Sequence, residues 1–293
     1  MLAATLPNTI ADLRMIAGSL QHERGAIFVI KLGGSAMEDP QQVSATLESI
    51  WLLQQLEVHP VLIHGGGKAI DQAMAAAGLT PRKVQGRRYT DIETLAIVVD
   101  TLTNTINRQL CEQLSDIGVP AQSMHLGDYQ VLFGEQFFLQ NADGTTTDLG
   151  HVGSVTRVNR AAIQQVLDAG AVPVIPCIAQ GPDGGWLNIN GDTAAGAVAA
   201  SLKSSRLYMM TDTPGLLQQP KDPSSLIHRL APTLRRELET AGVIDGGMLP
   251  KVEACFEALQ AGVQRAKIID GRRAYSLLLD CDPSTAIGTE CVL

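Results

Sequence analysis

Lys31 ends an apolar run and is followed by Gly33 and Gly34 in FVIKLGGSAM, residues 28–37. A second apolar run, PVLIH, ends in Gly65-Gly66-Gly67, and a helical stretch begins near Lys68. Glycines at the carboxyl end of a strand let backbone N–H groups converge on a ligand. A helix N-terminus just beyond adds partial positive charge there. An anion is the guest such a site suits. In GVIDGGMLPKVEACFEAL, Lys251 stands at a helix start, where the dipole prefers negative charge. A bound phosphate would reverse that mismatch. LNINGDTAAGAVAASL places Asn188, Asn190 and Asp192 at alternate positions before a helix. If residues 187–190 are extended, the two asparagines share a side, and Asp192 reads as an N-cap. Thr211 and Asp212 end RLYMMTD ahead of the Pro214-Gly215 turn. Open α/β sheets bind ligands beyond strand ends of this kind.

The better-known phosphate and oxyanion motifs do not account for the glycines. A Walker A loop needs Ser or Thr after its Gly-Lys pair, but Ala69 follows Lys68, and Leu62 stands where the first glycine belongs. A dinucleotide fingerprint needs glycine where Ile70 stands. The His-Gly-Gly-Gly run would suit an esterase oxyanion loop, yet no G-x-S-x-G nucleophile elbow occurs.

The elements that must hold these residues follow from periodicity. Apolar, β-branched runs (AIFVIKL, PVLIH, AVPVIPCI, RLYMMTD, RAKIID) alternate with alanine-rich stretches of helical length. That order predicts an α/β fold with a mostly parallel sheet and helices on both faces. Residues 91–118 read as one long helix, with Leu95, Val98, Val99, Leu102, Ile106, Leu110 and Leu114 at helical spacing, and carry no assigned chemistry. Residues 128–149 alternate over short distances around Gly134 and Asn141-Ala142-Asp143-Gly144. This predicts an antiparallel β-hairpin inserted at the sheet edge, where it could cover a substrate. The first 22 residues form an amphipathic segment with Ile10, Leu13, Ile16, Ala17 and Leu20 on one face, suited to a partner helix.

Composition narrows the function class. The chain has 293 residues, a net charge of -8 and no basic run, which argues against a nucleic-acid surface. Five cysteines without a C-x-x-C pair fit a reducing, cytoplasmic setting better than disulfides or zinc. Asp12 and Arg14 interrupt the N-terminal apolar stretch, so it does not read as a secretory signal, and no run is long enough to span a membrane.

In order along the chain, KLGGSAM, VLIHGGGKAID, GRRYT, DLGHVGSVTRVN, NINGDTAAGAVAASL, MTDTPGLL, GGMLPKVEACFEALQAGV and IIDGR resemble the amino-acid kinase family over roughly residues 26–273. The resemblance implies a three-layer α/β/α sandwich, with an acyl-amino-acid lobe at residues 23–200 and an ATP lobe at residues 201–293. Its implied reaction carries the γ-phosphate of ATP to the side-chain carboxylate of N-acetyl-L-glutamate, giving N-acetyl-L-glutamyl 5-phosphate, the second step of arginine biosynthesis. Mg²⁺ would arrive with ATP, held mainly by phosphate oxygens. By the same resemblance Lys31 and Lys251 stabilise charge on the transferring group, and Asp192 orients them. Gly33 and Gly34 donate to phosphate, and Gly66 and Gly67 to the acceptor. Arg88 pairs with the acceptor's α-carboxylate, Asn188 contacts the acetylated amino acid, and Thr211 and Asp212 serve the nucleotide. Such chemistry asks for positioning and electrostatics, and a carboxylate acceptor needs no general base at neutral pH. Another acidic acceptor (an aminoadipate derivative, aspartate or glutamate) and a non-catalytic amino-acid sensor remain alternatives.

The departures from the family text are local. Gly191 stands where alanine is usual, and Lys68 where proline is common. Arginine-inhibited members use an N-terminal helix to interlock dimers into a hexameric ring, and residues 10–20 resemble it. Homodimer and homohexamer both stay open. Their C-terminal effector positions read Tyr275, Asp280 and Ala286 here, so the frame is kept while the contact residues differ, which leaves arginine as an effector open.

Overall fold

The computed structural model describes residues 10–84, 87–140 and 144–293. Its centre is an eight-stranded sheet. In spatial order the strands are Arg229–Leu230, Thr289–Cys291, Arg265–Asp270, Arg206–Thr211, Ile27–Leu32, His59–His64, Val172–Pro176 and Ala121–Ser123. Every neighbouring pair is parallel except Arg265–Asp270 with Thr289–Cys291. Successive strand residues point to opposite faces, and both faces are buried, which explains the near-continuous apolar runs. Val29, Val61, Ile175, Leu207 and Ile268 pack on one side with helices Arg160–Asp168, Gly191–Leu202, Pro232–Thr240 and Leu249–Gln260. Phe28, Ile30, Leu62, Val174, Tyr208 and Ile269 pack on the other with helices Pro40–Gln55, Gly67–Ala76 and Ile92–Asp100. This is the expected three-layer sandwich.

The inserted hairpin forms, but not at the sheet edge. Strands Leu132–Gln140 and Thr146–Val158 join Ile178–Gln180 and Trp186–Ile189 in a separate four-stranded unit that closes on itself. The second arm runs nine residues past the expected end at 149. The added residues stay paired with the first arm as far as Leu132↔Val158, while Val152 and Gly153 pair in parallel with Asn188 and Ile189 on the strand's other side, giving that edge a partner other than the main sheet. The turn residues 141–143 lie outside the described residues.

The long helix is also different from its expected form. It runs as Ile92–Asp100, then a π-helical segment Thr101–Asn107, then Arg108–Asp116. The N-terminal segment is helical over Ile10–Gln21, with residues 1–9 outside the described set, and Ile16 and Leu20 are buried in the chain's own core. Among the described residues no helix is long and apolar enough to cross a membrane.

Candidate functional site

Three segments distant in sequence meet at the carboxyl edge of the central strands. Lys31 is the penultimate residue of Ile27–Leu32, and its side chain is 8% exposed. Asp192 lies in the first turn of helix Gly191–Leu202, and Lys251 in the first turn of Leu249–Gln260. The sequence suggested Asp192 as a cap, but Asn190 takes that place, its side-chain oxygen accepting from the N–H groups of Asp192 and Thr193 at 2.9 and 3.0 Å. The Asp192 carboxylate is thereby free to sit between the lysines. Lys31 Nζ lies 3.0 Å from Oδ1, and Lys251 Nζ lies 2.9 Å from Oδ2. Lys251 also donates to Gly247 O at 3.0 Å.

Burial pushes the Asp192 carboxyl up, but the two ammonium groups outweigh it and hold it below the ordinary range. The cluster therefore carries one net positive charge in a buried setting. Lys31 can give Oδ1 no more than part of its three-proton donor capacity, so protons remain available to an incoming anion. The neighbouring glycines leave room for the Lys31 side chain. A methyl group at Gly33 would stand 2.5 Å from Lys31 Nζ, displacing it. At Gly191 it would stand 3.2 Å from Lys31 Cε and 3.3 Å from Cys177 Sγ, so glycine in place of the usual alanine makes room for both.

Two cavities open from this cluster and share Lys31 and Gly33. The first, about 240 Å³, is bounded by Gly65, Gly66, Gly67, Arg88, Asn188 and Asp192 among others. The second, about 390 Å³, is bounded by Thr211, Asp212, Gly247 and Lys251. Gly34 opens the short 3₁₀ turn Gly34–Met37 after Gly33. All the predicted site residues whose surroundings are described are thus at this edge. Lys68 is not part of the cluster, being exposed and paired with Glu38.

Arg88 is held in the wall of the first cavity. Its Nη2 lies 2.5 Å from Asp71 Oδ1 and donates to Gly67 O at 3.1 Å, while Nη1 reaches Met74 Sδ. Asp71 escaped notice in the sequence because only the helix Gly67–Ala76 brings it to Arg88. Lys83 and Arg87, from the antiparallel pair Lys83–Val84 and Arg87–Arg88, line the same cavity, and Arg87 stacks over the Phe137 ring at 4.6 Å. Asn188 is oriented by its amide, which donates to Thr90 Oγ1 at 3.0 Å. Thr90 is in turn fixed by the DLGH stretch within strand Thr146–Val158, donating its N–H to Leu149 O at 2.9 Å and accepting from His151 N at 2.6 Å. Gly150 has φ +73° where the pairing register of that strand is irregular, a backbone state that favours glycine.

The effector-like C-terminal segment lies elsewhere. Asp280 is buried, with Lys267 on Oδ1 and the Tyr208 hydroxyl donating to Oδ2 at 2.8 Å. Arg206 Nη1 approaches Oδ2 at 3.6 Å. Tyr275 has φ +57° and donates from its hydroxyl to Glu48 at 2.5 Å. Ala286 lines a separate cavity with Arg206, Lys267 and Asp280.

A parallel sandwich with two anion-suited cavities meeting at one lysine is the frame of a phosphotransferase. The family model described as amino acid kinase family matches residues 26–270, and the chain belongs to that family. Its curated relatives include acetylglutamate kinases. The one from Akkermansia muciniphila is 38% identical over 289 residues, covering 97% of this chain and 96% of that protein. The one from Caldanaerobacter subterraneus subsp. tengcongensis is 37% identical over 265 residues, covering 90% and 87%. Among solved structures, an N-acetylglutamate synthase from Neisseria gonorrhoeae, complexed with coenzyme A and N-acetyl-glutamate, superposes with a TM-score of 0.82 at 26% identity. That match covers 98% of this chain but 64% of the longer one. A carbamate kinase from Giardia lamblia shares the fold, with a TM-score of 0.62 at 17% identity, over 92% of this chain and 98% of that one.

Proposed function

We propose that the chain is an acetylglutamate kinase, transferring the γ-phosphoryl group of ATP to the side-chain carboxylate of N-acetyl-L-glutamate. The observation that carries this reading is the pair of cavities joined at Lys31 and Gly33, with Lys251 on the far side of Asp192. The first cavity takes the acceptor. Arg88 faces its α-carboxylate, Asn188 its acetylated amine, and the Gly66 and Gly67 N–H groups its reacting carboxylate. The second takes the nucleotide against Thr211, Asp212 and the Gly33-Gly34 turn, with Mg²⁺ carried in on the phosphate oxygens. In the sequence frame, residues 23–200 then form the acceptor lobe and 201–293 the nucleotide lobe.

Transfer brings two anions together, so the barrier is largely electrostatic. Lys31 borders both cavities and offsets charge on acceptor and phosphoryl group alike; Lys251 offsets charge from the nucleotide side. Asp192 bridges the two ammonium groups, offsets their mutual repulsion and keeps them aimed. No side chain need remove a proton, since the acceptor is already ionised.

Trapping the acyl phosphate with hydroxylamine tests the reading. ATP-dependent hydroxamate is expected with N-acetyl-L-glutamate, and less with N-acetylaspartate, aminoadipate derivatives, glutamate or aspartate. Absence of product with every acidic amino acid would remove it. In the same assay, added arginine is expected to leave the rate unchanged, because Asp280 already holds Lys267, Arg206 and Tyr208. Inhibition by arginine would show that this network opens.

Residues 1–22 are proposed to join subunits in a homodimer or homohexamer. Ile16 and Leu20 serve the chain's own core, while Met15 is 39% exposed and left for a neighbour. Light scattering should give a smaller particle once residues 1–22 are removed; an unchanged mass would rule the helix out as the joint. With all five cysteines free, a reducing cytoplasmic setting suits the chain.

A further inference from the structure

Behind the glycine wall of the first cavity lies a polar chain that none of the steps above uses. His64, fully buried, ends its strand immediately before Gly65. Its Nδ1 lies 3.1 Å from Gly65 O, and its Nε2 lies 3.0 Å from Asn107 Nδ2. Asn107 is equally buried, and its Nδ2 also lies 3.0 Å from Val174 O. A carbonyl oxygen can only accept, so the Asn107 atom facing both groups is the amide nitrogen. Nε2 of His64 must then accept, and the ring proton sits on Nδ1, where it is donated to Gly65 O. Burial pushes the imidazole down to about 4, so the ring is neutral.

The π-helical segment explains how Asn107 gets there. In an α-helix of 3.6 residues per turn, a residue five positions on faces about 140° away. Hydrogen bonding from i to i+5 instead stacks Asn107 over Leu102. Leu102 Cδ2 and Ile106 Cδ1 then press on Gly66, at 2.9 and 2.5 Å from where a methyl group would be. Gly66 O accepts from Ile70 N at 2.8 Å, whereas the N–H groups of Gly66 and Gly67 have no protein partner among the described residues.

We propose that Asn107 is a positioning residue for the acceptor: through the Nδ1–H tautomer of His64 it holds the Gly65 carbonyl, and the π-turn that carries it clamps Gly66. Together they aim the Gly66 and Gly67 N–H groups into the first cavity. The inference rests on the reading of that cavity as the acceptor site.

Asn107→Asp keeps the shape but can only accept, so it draws a proton onto Nε2. A neutral His64 would then turn a bare Nδ1 toward Gly65 O, and only the imidazolium satisfies both contacts. The other titratable groups around the ring are His125, Cys111 and Cys177, whose thiol donates to His64 O at 2.9 Å. Burial pushes both thiols up, to about 11 and about 12, so neither ionises between about pH 6 and pH 9. Over that range the wild-type KM for N-acetyl-L-glutamate is expected to stay flat. The variant, whose carboxylate also gives up the donation to Val174 O, should come nearest wild type near pH 6 and show an acceptor KM about tenfold higher near pH 9 than near pH 6, with the KM for ATP within about twofold. A pH-flat acceptor KM, or one that rises together with the KM for ATP, would overturn the inference. If the variant does not fold, ¹⁵N-imidazole spectra of the wild-type protein decide: a proton on Nδ1 supports the inference, and one on Nε2 overturns it. An inactive wild type would remove the acceptor reading and this inference together. An active wild type with a pH-flat variant removes only the inference.

Discussion

Asp192→Asn is expected to lower kcat by about 10²- to 10³-fold, the size seen when a preorganised charge-stabilising group is lost. The carboxylate need not touch the transferring group to have this effect. Without it, two buried ammonium groups that now lie 3.0 and 2.9 Å from a shared partner would repel and turn away from the cavities. Steady-state kinetics at saturating substrates check the outcome, and a kcat within about threefold of wild type would show that the lysines hold their places unaided. The same variant carries a stability signature with a definite sign. The folded-state pKa of Asp192 lies below its unfolded value. Its contribution is therefore complete above the unfolded value, about pH 4, and is lost as pH falls through the folded one. Urea unfolding of the wild type should weaken on that acid side, and Asp192→Asn should lack this part of the slope.

Asp280→Asn is expected to cost stability rather than catalysis, by about 3–5 kcal/mol, because it leaves Lys267 and Arg206 buried without their shared carboxylate. For a chain of this size that corresponds to a fall in Tm of about 10 °C. The network sits at the start of strand Arg206–Thr211, whereas the candidate nucleotide cavity begins at its other end, so kcat of the folded fraction should be unchanged. Pairing the change with Lys267→Met, so that no charge is stranded, should recover much of the loss. Calorimetry of both variants checks this; equal Tm values for the single and double changes would place the cost elsewhere, for example with Glu23, which pairs with Arg206 at 2.6 Å.

The parts of the site legible in the sequence are those where a local pattern is itself unusual. A lysine ending a buried strand, glycine runs before helices, and a lysine at a helix start each contradict the default for their position, and Lys31, Gly66 and Lys251 do gather at one edge. The sheet was legible for a similar reason, since burial on both faces leaves an apolar run that tolerates few other readings. What stayed hidden depends on contacts between distant segments. Nothing near Asp71 announces Arg88, and nothing near Asn190 says that it, rather than Asp192, caps the helix. The hairpin was misplaced because alternation reveals a strand but not which edge it pairs with. The π-segment was hidden because Leu102, Ile106 and Leu110 fit a 3.6-residue period well enough to pass for one helix. Asn107 was the available signal, a polar residue next to that stripe and fully buried in the fold.

The place of strand Ile27–Leu32 in the sheet has a consequence for biosynthesis. It leaves the ribosome before either of its neighbours, yet it lies between His59–His64 and Arg206–Thr211, pairing Phe28 with Arg206 in register. At about 5–20 residues per second, the second neighbour emerges roughly ten to forty seconds after the first strand. Throughout that interval one edge of the future central strand, almost wholly apolar, has no native partner. That unpaired apolar edge is an aggregation hazard, and it lies in the segment that carries Lys31. The charge that closes the strand serves translation as a gatekeeper long before Asp192 and Lys251 exist to meet it.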